Sequence, residues 1–533
     1  MLKNKYIVIG SGICGVESAL ALLEKGHLVE IWDIGIKEKK EFYLNSQNFL
    51  NTKKDFDNSY KMILGSNLQN FIEPSSKKIF NIPKSRNYFL SEEEINSIFS
   101  QLNNFNLTQS FANGGLSNGW GGNCLPYSSN DLSSWNINYS SFEESLSQVY
   151  DHIGVSDIND DINSLFNIKN YGSQKSIKTS KNDDYLMKKY NQNIDYFKNN
   201  FFSLGKARLA IKNNDKTKDC NLCGKCIWGC SREAIYNSTK TLFDKCLKYK
   251  SFQYFSDRHI QYFVIKDNII KKIAYKNREN KICFAENDST IILAAGAIQS
   301  GIIFQKTLYK NEIQFKIVSG LMDTKVLKLV YLIPKMIGSK FENQNVQFNR
   351  LISGTKIDND YYHNEIYSEF LNLNSLFYQP LINSLPFPLK LSKKIFYSLF
   401  TALGVVTIFL PDKLNIQNNL KLSEDKEKSL IFYSENSQKV NFEKKVLKKI
   451  SNFLIKLGTI PIKKILYEPG SGIHYAGTIP IGNQNYPLDN RGKVKFLKNL
   501  YVADSSAFPN LPSKPISLNA AAFSRYVIKN IDK

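Results

Sequence analysis

The sequence lacks several features of membrane-spanning, secreted and disulfide-stapled proteins. It has no run of the ~20 apolar residues that a bilayer-spanning helix needs. Its first residues lead directly into an apolar strand, without the apolar core and cleavage site of a signal peptide. Its 8 cysteines are too few in 533 residues for a disulfide scaffold. These absences favour a globular protein in a reducing compartment, and we expect a cytoplasmic protein.

The chain is long and basic. A length of 533 residues exceeds one ordinary core and predicts two to four domains, or one domain with a large insertion. The formal net charge of +22 would suit a nucleic acid or an anionic membrane as partner. Because the lysines are scattered and no arginine-rich arm occurs, we favour a general compositional bias. We therefore expect no specific nucleic-acid binding.

The first 35 residues are typical of a strand, a tight turn, a helix and a second strand. The turn contains Gly10, Gly12, Ile13 and Gly15, and the second strand ends at Asp33. In dinucleotide-binding folds the three glycines allow the turn, a close backbone approach to a pyrophosphate, and helix–strand packing. The helix N-terminus favours the negative charge of the pyrophosphate, and an acid in the position of Asp33 accepts hydrogen bonds from ribose. The opening therefore predicts a dinucleotide site.

Two later segments are also rich in small residues. Residues 114–122 contain five glycines in nine positions, which indicates positive φ angles or a close backbone approach. Residues 289–300 predict a buried strand that runs into a small-residue turn at Ala295 and Gly296, followed by a helix. A second approach to a cofactor is one interpretation of both segments, and ordinary glycine-rich loops are the other.

Residues 310–465 differ in composition from the rest of the chain, and this difference predicts an inserted second domain. They are rich in aromatic residues, asparagine and lysine, and carry no glycine fingerprint. Within them, residues 395–410 are mostly apolar and follow Lys390, Lys393 and Lys394. The stretch is too short to span a bilayer. We favour a helix end and a buried strand there, with peripheral contact at the inner face of a membrane as the alternative.

Four cysteines lie within eleven residues, at Cys220, Cys223, Cys226 and Cys230. The C-x2-C-x2-C-x3-C spacing is that of ferredoxins, whose thiolates hold an iron–sulfur cluster. Zinc sites more often combine two separated CxxC pairs, or one pair with histidines. Ser231 replaces the usual proline, so we expect three or four protein ligands and a 4Fe-4S or 3Fe-4S cluster. A zinc site and a metal-free relic remain the alternatives.

Together these segments resemble the glucose-methanol-choline (GMC) FAD-dependent oxidoreductases. The resemblance implies an α/β fold, in which a Rossmann-like FAD-binding domain built from N- and C-terminal segments carries an inserted α+β substrate domain. The implied boundaries are 1–309, with a cysteine-cluster loop at 218–232, then 310–465 and 466–533. The likeness rests on the opening fingerprint, Gly114-Gly115-x-Ser117-Asn118, Ala294-Ala295-Gly296-Ala297-Ile298 with Ser300, His474-Tyr-Ala-Gly477-Thr478, and the strand from Leu500 to Pro509 that contains Asp504.

The resemblance also implies cofactor contacts and an electron path. The cysteine run resembles the branch that includes the catalytic subunit of bacterial FAD-dependent glucose dehydrogenase, which implies that electrons leave the flavin through an iron–sulfur cluster. The acceptor would be a quinone, a cytochrome or a ferredoxin-like protein. The implied FAD-binding residues are Gly10, Gly12, Ile13, Gly15, Asp33, Gly115, Ser117, Asn118, Ala295, Gly296, Asp504, Ser505 and Pro515.

The implied catalytic base is His474. Histidine has an ordinary pKa near working pH, which suits it to take a hydroxyl proton while hydride passes to flavin N5. The expected substrate is a CH–OH group of a sugar, a polyol or a sugar-containing lipid. One departure concerns the second catalytic position, where the family has Asn or His before a proline and this chain has Lys514, with Asn519 five residues on. The alternative function is therefore a redox relay or binding subunit with a degenerate catalytic site.

Overall fold

The structure is a computed structural model. It describes residues 4–37, 84–90, 92–156, 158–172, 174–214, 218–313, 319–340, 342, 344–358, 365–372, 385–435, 437–483 and 485–531. The strands, in chain order, are β1 (Lys5–Ile9), β2 (Leu28–Trp32), β3 (Phe99–Asn103), β4 (Phe202–Lys206), β5 (Phe252–Phe255), β6 (His259–Lys266), β7 (Ile269–Lys276), β8 (Ile282–Glu286), β9 (Thr290–Leu293), β10 (Met322–Asp323), β11 (Val326–Leu332), β12 (Leu351–Lys356), β13 (Glu365–Asn372), β14 (Leu403–Phe409), β15 (Asp412–Lys413), β16 (Asn419–Leu422), β17 (Ser429–Phe432), β18 (Ile460–Leu466), β19 (Tyr475–Ala476), β20 (Leu500–Val502) and β21 (Asn510–Leu511).

The helices are amphipathic or buried segments that cover the sheets. Several begin at a polar residue that caps them; Ser180, for example, forms a reciprocal capping box with Asp183 at the start of the fifth helix. The helices, in chain order, are α1 (Ile13–Glu24), α2 (Glu92–Ile98), α3 (Tyr139–Ile153), α4 (Asp161–Phe166), α5 (Lys181–Gln192), α6 (Ile194–Asn199), α7 (Ser238–Asp244), α8 (Ala297–Lys310), α9 (Leu389–Leu399), α10 (Ser437–Lys456) and α11 (Ile516–Lys529).

A five-stranded parallel sheet forms the predicted nucleotide-binding unit. Its order is β20-β9-β1-β2-β5, so four strands come from the first 300 residues and β20 comes from the C-terminus. The strands are largely buried, as expected for a parallel sheet that is covered on both faces. Helix α11 packs against α1 and α3. The predicted α/β fold, with a parallel sheet assembled from both ends of the chain, is confirmed.

A six-stranded antiparallel sheet forms the second unit. Its order is β18-β11-β14-β13-β12-β4. One face packs on α10 through residues such as Phe442, Val446 and Ile450, in a separate apolar cluster. Strand β4 lies at residues 202–206, within the segment that the sequence assigns to the first domain, yet it pairs with β12. The substrate-domain sheet thus takes an edge strand from outside residues 310–465.

Residues 395–410 form the end of α9, a short 3-10 turn and β14, as favoured from the sequence. Strand β14 lies between β11 and β13, so both of its edges are paired. The predicted peripheral membrane contact through 395–410 stays a prediction. In the part of the chain that is described, none of the helices has the length and apolar character needed to cross a bilayer.

Candidate active site

A deep cleft opens along the glycine turn after β1. Its cavity volume is about 300 Å³. Its walls come from the parallel sheet, from the glycine-rich loop and from the loop that precedes β19, so segments far apart in the chain meet here. The sequence-predicted residues that line it are Gly10, Gly12, Ile13, Asp33, Gly115, Ser117, Ala295, Gly296, His474, Asp504 and Ser505.

The opening turn has room only for glycine at two positions. Gly10 has a φ of 103°, and a Cβ there would lie 2.7 Å from the carbonyl oxygen of Ala294. A Cβ on Gly15 would lie 2.0 Å from the carbonyl oxygen of Gly10, which explains how α1 packs on the turn although Gly15 does not line the cleft. In contrast, Gly12 faces open space at the uncapped N-terminus of α1. Unpaired N–H groups beside open space suit a pyrophosphate.

Asp33 ends β2 inside the cleft. Its carboxylate accepts hydrogen bonds from the Ser11 hydroxyl and, at 3.2 Å, from the Tyr254 hydroxyl. Burial raises the pKa of Asp33 to about 6, and these hydrogen bonds limit the rise. At neutral pH the group is therefore largely ionised and able to accept hydrogen bonds from ribose hydroxyls.

Asp504 fastens the second small-residue turn to the C-terminal segment. One carboxylate oxygen accepts from the Gly296 N–H at 2.8 Å and the Ser300 hydroxyl at 2.6 Å. The other accepts from the Ser506 N–H and hydroxyl at 2.9 and 2.5 Å. Burial raises the pKa of this carboxyl, and the hydrogen bonds oppose the rise. Asp504 thus shapes the cleft by joining the turn at Gly296 to the C-terminal segment through hydrogen bonds.

Three further polar residues line the cleft and carry no sequence motif. Gln109 donates to Gln299 at 3.2 Å, and Gln299 contacts the Nε2 atom of His259 at 3.2 Å. The Gln109 Oε1 atom is buried and has no hydrogen-bond partner in the described structure. A buried acceptor without a donor at the wall of this cleft is satisfied by a ligand that donates a hydrogen bond. The two small-residue turns, the Asp33 carboxylate and the Gln109 amide therefore fit a dinucleotide cofactor.

His474 lies in the same cleft and is held on two sides. Its Nδ1 atom is 2.8 Å from the Thr324 hydroxyl, and its ring stacks on Phe409 with centroids 5.3 Å apart. Burial lowers the pKa of His474 to about 4, so the imidazole is neutral at physiological pH. When Nδ1–H donates to Thr324, Nε2 carries the free lone pair that a general base needs.

The loop before His474 is anchored by Asp323. Its carboxylate accepts the backbone N–H groups of Gly470 at 2.8 Å, Gly472 at 3.4 Å and His474 at 3.3 Å. Burial raises the pKa of Asp323 to about 7. Sequence reasoning missed Asp323, Thr324 and Phe409. No local motif marks them, because the pairing of β10 with β19 and the end of β14 bring them to the histidine.

Lys514 and Asn519 lie outside the cleft that holds His474. Lys514 is fully buried, and its ammonium contacts the carboxylates of Asp131 at 2.5 Å and Glu365 at 3.3 Å. The Asn519 amide bonds the Tyr127 N–H and the carbonyls of residues 125 and 515. Asn118 and Pro515 also do not line the cleft. The second catalytic position stays a prediction.

The four clustered cysteines are all partly exposed and close enough to interact electrostatically. Burial raises the pKa of the Cys226 thiol, and the other three cysteines add to the rise. Backbone N–H groups of Gln347 and Ala234 point at the sulfurs of Cys226 and Cys230, at 3.5 and 3.3 Å. Among the residues that the structure describes, no three His, Cys, Asp or Glu side chains are arranged to hold a metal ion.

Arg86 joins the cysteine run to the glycine-rich loop. Its guanidinium donates to the carbonyl of Asn118 at 2.7 Å and to that of Ile227 at 3.2 Å. Next to it, the Trp120 indole N–H donates to the carbonyl of Tyr236 at 2.8 Å. Because residues 115–117 and 119–121 line the cleft, the Arg86 side chain bridges the cysteine run and the loop that forms this wall of the cleft.

Comparisons with known proteins agree with this architecture. Residues 459–524 match the C-terminal domain model described as GMC oxidoreductase. The crystal structure of pyridoxine 4-oxidase from Mesorbium loti superposes with a TM-score of 0.62 over 100% of both chains at 13% sequence identity, which shows a shared fold. A search of curated proteins gives no match. Residues 459–524 are thus similar to the C-terminal domain of GMC oxidoreductases, and the whole chain shares its fold with the pyridoxine 4-oxidase structure.

Proposed function

We propose that the protein is an FAD-dependent dehydrogenase that oxidises a CH–OH group of a sugar, a polyol or a sugar-containing lipid, with His474 as the general base. The observation that carries this proposal is the placement of a neutral, partly buried imidazole in the same cleft as the glycine turn and Asp33. Thr324 and Asp323 fix its ring and its loop, which leaves Nε2 to take the hydroxyl proton.

The residues that would hold FAD divide by the part of the cofactor they suit. The N–H groups at Gly12 and Ile13 suit the pyrophosphate, and Asp33 suits the adenosine ribose. The loop at Gly115 and Ser117 and the turn at 295–296 provide close backbone approach. When bound, FAD supplies the hydride acceptor, which no protein side chain can replace.

The proton step belongs to His474. A substrate hydroxyl beside Nε2 would donate its proton there, and the imidazolium formed would be held by the stacked Phe409 ring and the Thr324 hydroxyl. Because the site is buried, the imidazolium is strongly acidic and returns its proton readily. The base is therefore regenerated as the product leaves.

We also infer that Cys220, Cys223, Cys226 and Cys230 hold an iron–sulfur cluster. Support comes from their ferredoxin spacing, from the N–H groups aimed at two sulfurs, and from the Arg86 bridge between this run and the glycine-rich loop. Such a cluster would supply one-electron transfer towards a quinone, a cytochrome or a ferredoxin-like protein.

Anaerobic reduction of the flavin tests the catalytic proposal. The FAD-loaded protein is mixed with a panel of sugars, polyols and simple alcohols, and the loss of flavin absorbance is followed. We expect bleaching by at least one CH–OH compound and its loss in His474→Ala. His27→Ala is the matched control, because His27 does not line the cleft. Equal bleaching by His474→Ala would remove this residue as the base.

Iron and acid-labile sulfide analysis of anaerobically purified protein tests the cluster. We expect about equal iron and sulfide in the wild type, and a loss of both in Cys226→Ser. Cys283→Ser is the matched control, because Cys283 lies apart from the four, on β8. Zinc without sulfide would contradict the cluster and favour the alternative metal.

A redox relay or binding subunit remains a second candidate because of Lys514. The family's second catalytic position is taken here by an ammonium that is already paired with two carboxylates. In that case no CH–OH compound would bleach the flavin, whereas a chemical reductant such as dithionite would reduce both flavin and cluster.

We further propose that the protein contacts an anionic membrane surface through α9. Phe387, Leu389 and Leu391 are exposed, and Lys390 and Lys393 lie among them. Exposed apolar side chains interleaved with lysines suit the interface of an anionic bilayer. Co-sedimentation with vesicles that contain anionic phospholipid should fall in the double variant Leu389→Ser, Leu391→Ser. Unchanged sedimentation would contradict the contact.

A further inference from the structure

Three neighbouring strands of the substrate-domain sheet align a row of polar side chains. In the register of β11, β14 and β13, Lys328 pairs with Thr407, and Thr407 pairs with Glu369. The side chains of directly paired residues lie on the same face of a sheet. Lys328, Thr407 and Glu369 therefore form one row, which we call the polar row.

The polar row lies on the face that contacts the active site. Two positions along the strands, the same face carries the row Val326, Phe409 and Tyr367. Phe409 stacks on His474, and the Tyr367 ring lies 5.8 Å from the Phe409 ring. Two residues of strand span about 7 Å. The polar row is therefore one side-chain repeat away from the ring that supports the base.

Among the described residues, Lys328 of this row has no ionic partner, and the neighbouring residue Asn349 has an unsatisfied oxygen. The Lys328 ammonium lies over the Tyr467 ring, 5.0 Å from its centre, and makes no salt bridge with any carboxylate in the described ranges. Asn349 donates to Glu369 through its amide nitrogen, but its Oδ1 atom is buried without a described partner. Glu369 also accepts from the Tyr367 hydroxyl at 2.9 Å. Donors and acceptors left open beside an active site indicate a polar ligand.

Burial also shifts the two charged groups of the row. It lowers the pKa of Lys328 to about 8 and raises the pKa of Glu369 to about 7. Groups with shifts of this kind are concentrated at functional sites. Since an ammonium and a carboxyl stand at the two ends of the row, with Thr407 between them, a neutral hydroxylated ligand fits better than an anion, which Glu369 would repel.

Beyond the polar row the same face becomes apolar and remains partly exposed. Val330 pairs with Val405, which pairs with Leu371. Leu332 pairs with Leu403 in the following row, immediately after the turn that ends α9. This face is polar near His474 and apolar farther from it. It therefore suits a ligand that has polar groups near its reacting end and an apolar chain beyond them.

We propose that Lys328, Thr407, Glu369 and Asn349 bind the hydroxyl groups of an amphipathic, sugar-like substrate, and that its aliphatic part lies along Val330, Val405 and Leu371. The proposal rests on the proposed function, in which the reacting carbon lies at His474. It narrows that function to the class of neutral polyols that carry an apolar chain. The apolar row would then lead the chain of the substrate towards α9.

Binding to the oxidised, FAD-loaded protein tests the proposal without turnover. The probes are methyl and octyl glycosides of glucose, galactose and N-acetylglucosamine, measured calorimetrically below their micelle concentrations. For at least one sugar we expect the octyl glycoside to bind at least about tenfold more tightly than the methyl glycoside, because apolar burial is favourable. Lys328→Met and Glu369→Gln should weaken both glycosides about tenfold or more.

Two variants separate the parts of the site. Val405→Thr should weaken the octyl glycoside and leave the methyl glycoside unchanged. Lys464→Met, an exposed lysine of the same sheet, should change neither. The proposal is overturned if no glycoside binds the wild type, or if Lys328→Met and Glu369→Gln bind both probes as the wild type does. Binding as expected without flavin reduction would instead contradict the proposed dehydrogenase activity and leave the subsite in place.

Discussion

The hydrogen bond between Thr324 and His474 gives the sharpest prediction about the catalytic base. Thr324→Val keeps the shape of the side chain but removes the acceptor 2.8 Å from Nδ1. The buried Nδ1–H would lose its partner, which costs about 1–3 kcal/mol. The imidazole would then shift to the tautomer with the proton on Nε2, in which Nε2 cannot act as the base. If it kept the proton on Nδ1 instead, this buried N–H would remain without a partner, at the same cost in free energy. Either way, the rate of flavin reduction should fall about 5- to 150-fold.

Stopped-flow measurement of anaerobic flavin reduction, with the best compound of the panel, checks this prediction. Thr324→Ser is the matched control, because it retains the hydroxyl and should stay near the wild-type rate. The FAD content and the affinity for the compound should be unchanged in both variants, since Thr324 is not a cleft residue. A rate within twofold of the wild type in Thr324→Val would refute the orienting role of Thr324.

Three further predictions concern the cofactor turn, the guanidinium bridge and pH. Gly10→Ala should abolish FAD retention on gel filtration, because its Cβ would lie 2.7 Å from a carbonyl oxygen. Arg86→Met should speed labelling of the cysteine run by a thiol reagent in the metal-free protein, whereas Arg278→Met, on an exposed arginine, should not. His474 should leave the flavin-reduction rate flat between about pH 5.5 and 8. On acidification from pH 6.5 to 4, the unfolded chain protonates this histidine before the folded one does, so urea unfolding should show a loss of stability of up to about 3 kcal/mol that is absent in His474→Gln.

The parts of the site that could be predicted from the sequence are those set by local chemistry. The turn from Gly10 to Gly15 follows from φ angles and close contacts that only glycine tolerates, so its position is visible in the sequence. The same holds for an acid at the end of the second strand, because β1 and β2 are adjacent in both chain and sheet. The fold class followed from these units and was confirmed.

The parts that could not be predicted depend on distant segments. Thr324 and His474 are 150 residues apart and meet only because β10 pairs with β19. Lys514 forms ion pairs with Asp131 and Glu365, which come from two other regions of the chain. The polar row is likewise invisible along the sequence, because Lys328, Thr407 and Glu369 become neighbours only through strand register.

The hydrogen bonds from Gly296 and Ser300 to Asp504 have a consequence for the order in which the cleft forms during synthesis. The turn at Gly296 is held by a carboxylate that emerges from the ribosome about two hundred residues later, together with β20 and α11. Until those last residues are synthesised, the parallel sheet lacks an outer strand and the cleft lacks part of its wall. Nascent chains therefore lack the complete cleft until this segment has folded, and we expect stable FAD binding only after that point.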